Sequence, residues 1–176
     1  RRTRGESFGV SIERFGGKGK LVEAVKRFAG PTSSQPIALT ADDALLAVAN
    51  ADNNSVSIFD VRRDANRKLA EVPVQREPNG VAFKPNGRKL YVANTASGTV
   101  TVIRTRSGHG GRQYAARKHI TVGTEPYGLA LTPNGRKLYV TNARSNSVSV
   151  IDTRSDRVIK TITNVGFEPR DIAITN

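Results

Sequence analysis

The sequence predicts an all-β fold of four-stranded antiparallel blades, on three observations: a recurring segment, a tight turn inside it, and a strand-like alternation after it. The segment carries Pro-Asn-Gly-Arg-Lys-Leu-Tyr-Val-(Ala/Thr)-Asn and runs from Pro78 to Asn94 and again from Pro126 to Asn142. A worn copy spans Pro36 to Asn50, where Thr40, Ala41, Asp42 and Asp43 replace the turn, and a fourth copy begins at Pro169. Self-similarity at such a period marks repeat architecture. After each asparagine the chain alternates β-branched and small polar residues, as Ser55-Val56-Ser57-Ile58, Thr99-Val100-Thr101-Val102 and Ser147-Val148-Ser149-Val150. That period of two describes a half-buried strand.

Each unit resolves into strands A to D. In the best-preserved one, strand A covers about Tyr127 to Leu131, and Pro133 to Arg136 turns it into strand B, about Lys137 to Thr141. An Asn-Gly pair between apolar runs signals a hairpin, because both residues tolerate positive φ. Strand C is about Ser147 to Asp152, and a turn near Arg154 to Asp156 leads to strand D, about Val158 to Thr163. Four antiparallel strands at a repeat of roughly 40 to 50 residues make the blade of a β-propeller. The blades are expected at residues 36–77, 78–125 and 126–168, with strands C and D of another blade in residues 1–35 and a lone strand A in 169–176.

That is about three and three-quarter blades, fewer than the four to eight that close a ring. The chain also has no Met. It is therefore expected to be part of a longer or processed polypeptide whose complete ring has seven blades, or part of an assembly. An open arc would otherwise expose blade faces and strand edges.

The run Leu138-Tyr139-Val140-Thr141-Asn142 resembles the namesake motif of the YVTN-repeat β-propeller family, with Leu90 to Asn94 and Leu46 to Asn50 as variants. The elements Val122 to Gly128 and Asn94 to Val102 resemble that family as well. The resemblance extends from about Val10 onward. It implies an extracytoplasmic, surface or cell-envelope protein, and a fold shared with lactonases and with propellers of redox enzymes. It constrains fold more than function. The chain has no Trp, which argues against the WD40 and quinoprotein types, and Gly16-Gly17 and Gly110-Gly111 do not recur at kelch spacing.

With 37% hydrophobic and 6% aromatic residues, burial falls to Val, Ile, Leu and Ala, which suits thin stacked blades. Alanine recurs in strand A at Ala38, Ala82, Ala130 and Ala173, where inner strands crowd the axis. Tyr91 and Tyr139 read as packing between blades with a hydroxyl reaching a partner. Asn50, Asn94 and Asn142 read as strand-ending residues whose side-chain oxygens accept from nearby backbone N–H groups. Their repetition in every complete blade favours a structural role over a binding one. The Glu-Pro pairs at Glu77, Glu125 and Glu168 read the same way, as blade-junction structure.

The 28 Lys and Arg against 15 Asp and Glu give a formal charge of +13. Topology places the A–B and C–D turns on one face, so Arg88, Lys89, Arg136 and Lys137 share it with Arg104 and Arg106. Such a face attracts acidic protein, acidic glycan or anionic lipid. The same residues also suit ordinary solvated turns and protected edges. With no helix-turn-helix, zinc knuckle or aromatic interleaving, sequence-specific nucleic-acid recognition is disfavoured.

The longest departure from the repeat joins strands C and D of the second complete blade, from Arg104 to Lys118. It holds Arg104, Arg106, His109, Arg112, Arg117 and Lys118 together with Tyr114, and its glycine-rich centre is expected to be mobile. If one local segment makes a specific contact, it is this one. The two histidines, His109 and His119, form no metal-ligand spacing with carboxylates, so no metal or cofactor is expected. No nucleophile elbow, phosphate loop or Ser-His-Asp set is evident, and zero cysteines exclude disulfides and thiolate chemistry. No apolar run is long enough to span a bilayer. The resulting expectation is a non-enzymatic binding or assembly module that presents basic turns to an acidic partner. A propeller domain of an enzyme, lactonase-like or redox-associated, is the alternative, and a structural subunit that completes its ring with other chains is a further one.

Overall fold

The structure is a computed structural model describing residues 36–108 and 111–175. The strands expected in residues 1–35, and His109, lie outside the described residues. Among the described residues twelve strands form three four-stranded antiparallel sheets. Blade 1 is β1 (Ile37–Leu39), β2 (Leu45–Asn50), β3 (Ser55–Asp60) and β4 (Arg67–Pro73). Blade 2 is β5 (Pro78–Phe83), β6 (Lys89–Asn94), β7 (Thr99–Gly108) and β8 (Gly111–Thr121). Blade 3 is β9 (Pro126–Leu131), β10 (Lys137–Asn142), β11 (Ser147–Asp152) and β12 (Arg157–Thr163). The fold is a partial β-propeller, and within each sheet sequential strands are neighbours.

The A–B turns explain why the motif carries Pro-Asn-Gly. Gly87 and Gly135 take φ of +65° and +63°, and Gly87 N–H donates to Lys84 O at 2.7 Å. Only the glycine enters the left-handed region. The asparagine acts through its side chain instead, since Asn134 Oδ1 accepts from Arg136 N–H at 2.9 Å and Asn86 Oδ1 from Arg88 N–H at 3.1 Å. In the worn copy Asp43 occupies the glycine's place at φ 51°, and Thr40 Oγ1 braces the turn by donating to Asp42 Oδ1 at 2.6 Å.

Blade 2 shows how the continuous apolar run of strand B is used. Leu90 and Val92 face blade 1 and join a core with Leu45, Ala47, Ile58 and Phe83. Tyr91 and Ala93 face blade 3 and join Leu129, Leu138, Val140 and Ile151. A strand sandwiched between two blades has no solvent face, so both sets of alternating residues are buried. Strand C differs from the half-buried reading for the same reason. Ser55, Ser57, Thr99, Thr101, Ser147 and Ser149 are all buried.

The strand-ending asparagines supply those hydroxyls with a partner. Asn94 Nδ2 donates to Thr99 Oγ1 at 3.1 Å and Thr101 Oγ1 at 2.8 Å, and Asn142 Nδ2 to Ser147 Oγ at 3.1 Å and Ser149 Oγ at 3.0 Å. Asn50 repeats the arrangement with Ser55 and Ser57 at 3.0 and 2.9 Å. The donor is thus the amide nitrogen, bonding across the ladder, rather than the expected oxygen accepting from a local turn. Asn142 does both, its Oδ1 accepting from Gly123 N–H at 3.1 Å.

Two further expectations change. The Arg104–Lys118 connection is no loose loop. The β7–β8 ladder continues through Thr105↔Tyr114 and Ser107↔Arg112 to Gly108↔Gly111, which makes it a long hairpin. Residues 169–175 form no strand, because no described residue offers them a ladder partner. They dock on blade 3 nonetheless, with Arg170 O accepting from Thr141 Oγ1 at 2.9 Å.

Candidate functional site

The antiparallel order brings the start of strand B and the end of strand C to one end of each blade. In blade 2 this corner is a depression of about 770 Å³ lined by Arg88, Lys89, Arg104, Thr105 and Arg117. Arg88 enters from the A–B turn and Lys89 opens β6. Arg104 lies directly across the ladder from Lys89. Arg117 is the unpaired residue of a bulge in β8, where Val102 pairs with Lys118 and Ile103 with Ala116. A bulge re-aims the side chain it carries. The three arginines are exposed and make no ion pair among the described residues. Thr105 Oγ1 is shielded from solvent and makes no hydrogen bond among the described residues.

Lys89 is tied differently from its neighbours. Its Nζ donates to Asp156 Oδ2 at 2.7 Å and to Thr153 O at 2.7 Å, which links blade 2 to blade 3. Tyr91 O–H also donates to Asp156, at 3.0 Å, and Lys118 Nζ bonds Asp156 O at 2.6 Å. Burial, followed by the charge of Asp156, holds the Tyr91 phenol well above its ordinary range, so it remains a donor. Lys89 is therefore first a strut between blades, which sequence reasoning had placed only among the basic turns.

Of the residues singled out in the sequence, the structure brings together Arg88, Lys89 and Arg104. Arg136 and Lys137 sit at the equivalent corner of blade 3, both exposed. Tyr114 leaves the depression and packs against the core between blades 1 and 2. Arg106 and Arg112 lie on the outer hairpin. Thr105 was missed, since a threonine does not stand out as a type, and Arg117 was read only as one cation of the connection; the ladder register shows their common corner.

On the opposite face two of the three junction glutamates are paired. Glu77, Glu125 and Glu168 precede the blade-opening prolines with φ of 53°, 53° and 46°. Glu125 pairs with Arg144 at 3.1 Å and Glu168 with Arg170 at 3.7 Å. Among the described residues no cluster of His, Asp or Glu could hold a metal ion, and no helix is long and apolar enough to cross a membrane.

No curated protein matches the chain. Among solved structures, a hydrazine synthase chain from Kuenenia stuttgartiensis aligns over 88% of this chain and 41% of its own, with 28% identity and a TM-score of 0.69. A protein from Bacteroides fragilis assigned as a 6-phosphogluconolactonase aligns over 80% and 42%, with 17% identity and a TM-score of 0.67. The periplasmic gluconolactonase of Pseudomonas aeruginosa aligns over 84% and 43%, with 20% identity and a TM-score of 0.65. The last two likenesses show the fold alone. The chain spans about two-fifths of the length of these proteins. The sequence model described as "Lactonase, 7-bladed beta-propeller" matches residues 11–124, well over half of the chain. This overturns the expectation of a non-enzymatic binding module and supports the enzyme alternative. The chain belongs to the lactonase family of seven-bladed β-propellers.

Proposed function

We propose that the protein to which this arc contributes is a propeller hydrolase that opens lactone rings. The observation that carries this reading is the family match across residues 11–124, which includes blade 1 and all of blade 2. In the reaction water adds to the lactone carbonyl carbon and the ring C–O bond breaks, leaving a carboxylate, a hydroxyl and a released proton. The three blades supply a rigid scaffold, with cores continuous from one blade to the next. The fold likeness to a periplasmic gluconolactonase supports an extracytoplasmic location, as does the YVTN-like repeat.

The test is proton release from a sugar δ-lactone by the intact protein, followed in a pH-stat. Saturable acceleration over spontaneous hydrolysis is expected, and a rate equal to the buffer blank overturns the reading. A second reading, a propeller of a redox enzyme, is favoured by the 28% identity to a hydrazine synthase chain. A redox chromophore in the absorption spectrum of the purified protein, with no lactone hydrolysis, would select it.

A further inference from the structure

Comparison of the three blades at equivalent ladder positions isolates the corner of blade 2. The residue that ends strand C opposite the first residue of strand B is Asp60 in blade 1, opposite Leu45, and Asp152 in blade 3, opposite Lys137. Each caps its C–D turn by accepting a backbone N–H, from Arg62 at 3.1 Å and from Arg154 at 2.7 Å. Blade 2 places Arg104 there, opposite Lys89. Like charges directly opposed across a ladder are destabilising, and the long hairpin has no turn at that point for a carboxylate to cap.

The bulge in strand D recurs in every blade at the same register. Its unpaired residue is apolar in blades 1 and 3, Leu69 and Ile159, and is Arg117 in blade 2. The next position shows a third departure. Thr153 in blade 3 donates its hydroxyl to Gly135 O, and its backbone N–H bonds Arg136 O. Thr105 makes the matching backbone bond to Arg88 O at 3.1 Å, yet its hydroxyl is shielded and has no partner among the described residues. A shielded hydroxyl left without a hydrogen bond is costly.

Two substitutions against the repeat, Arg104 and Arg117, and one unmade hydrogen bond, at Thr105, therefore converge on one depression. We propose that this corner of blade 2 binds a phosphate monoester. Arg88, Arg104 and Arg117 supply planar donor forks for the tetrahedral dianion, and Thr105 Oγ1 donates the remaining hydrogen bond as the arginines close on it. Lys89 keeps its role as strut and contributes field. The volume of about 770 Å³ suits a small molecule or a lipid headgroup. The proposal does not rest on lactone hydrolysis.

The experiment titrates the intact protein at low salt with glycerol 3-phosphate by calorimetry, and with phosphatidic acid vesicles by sedimentation against phosphatidylcholine vesicles. Arg104→Gln and Arg117→Gln, both at exposed positions, should each weaken binding about tenfold to a hundredfold. Thr105→Val should weaken it about tenfold while raising the thermal midpoint, because the unpartnered hydroxyl is gone. A purely structural threonine would not move the two readouts in opposite directions. Arg136→Gln, on the same face but in blade 3, should change affinity less than twofold. Binding of glycerol 3-phosphate without preference for phosphatidic acid identifies a soluble ester as the source. Binding of phosphatidic acid vesicles alone identifies a lipid headgroup. Absence of binding to both probes overturns the proposal, as does equal weakening by Arg136→Gln and Arg104→Gln, which would indicate a diffuse field.

Discussion

Lys89 Nζ and the Asp156 carboxylate form a bifurcated ion pair at 2.8 and 2.7 Å across the junction of blades 2 and 3. Their side chains are only 13% and 9% exposed, unlike the other ion pairs of the described residues, in each of which at least one partner is well exposed. Asp156 stands at φ 53° and closes the C–D turn of blade 3 through its own N–H to Asp152 O at 2.8 Å, while its two carboxylate oxygens accept from Lys89 and Tyr91. Lys89→Met should leave that carboxylate buried without its cation, at a cost of about 3–5 kcal/mol. Urea unfolding of the intact protein would show this as a lowered midpoint. Lys89→Met with Asp156→Asn should recover part of the loss, because the neutral amide tolerates the positive φ and still accepts from Tyr91 O–H. Tyr91→Phe alone should cost about 1.5–3 kcal/mol, since its partner is charged.

The asparagine series should be graded rather than uniform. Asn142 is buried and bonds through both its nitrogen and its oxygen, so Asn142→Ala should cost about 3 kcal/mol. Asn94 makes the same two donor bonds, but its buried Oδ1 has no partner among the described residues. Asn94→Ala should therefore cost less, about 2 kcal/mol. Asn50 is only half-buried, and Asn50→Ala should cost least. Thermal unfolding of the three variants checks the order.

Gly128 admits the segment 164–175. A Cβ there would collide with the Arg170 carbonyl oxygen and come within 2.9 Å of Thr141 Oγ1. Gly128→Ala should displace the segment and break the Thr141–Arg170 bond, while the blade 3 ladder survives. Limited proteolysis should cut the variant after Lys160 or Arg170 faster than the parent, with a stability loss of about 1–3 kcal/mol. Unchanged cleavage would place the segment's hold elsewhere.

Acid should destabilise the blades through their turn-capping carboxylates. Hydrogen bonds from the Arg62 side chain and backbone hold Asp60 well below the usual carboxylate range, and the Arg154 backbone N–H lowers Asp152. Lys68 and Ser55 lower Glu71. A depressed folded-state value means that the unfolded chain takes up protons first. The stabilisation is therefore complete above the unfolded value of about 4 and fades as pH falls through the lower folded values. Asp60→Asn should flatten the acid limb of a plot of thermal midpoint against pH, with little change in its slope above pH ~6.

The repeat made the blades legible because each strand is a local alternation bounded by local turn chemistry. Pro-Asn-Gly set the A–B turns, and β9 and β10 lie within a residue of their expected bounds. The hairpin β7–β8 was misread as a loop because its glycines and arginines resemble turn composition, whereas its ladder depends on pairing register. Strand C was misread as half-buried because alternation normally implies a wet face, and here that face meets an asparagine and a neighbouring blade.

From sequence alone followed the blade, its turns, the propeller and the basic character of one end, since each rests on residues near one another in the chain. Only the tertiary structure decided which identical motif residues do different work. Tyr91 is fully buried and bonded to Asp156, whereas Tyr139, in the same motif position, is half-buried. The first faces blade 3, and the second faces away from blade 2, where no other blade is described. Lys89 and Lys137 likewise part company, one locked to Asp156 and the other exposed. The difference lies in what stands across the blade interface, and residues separated by more than sixty positions meet there only after the blades have stacked.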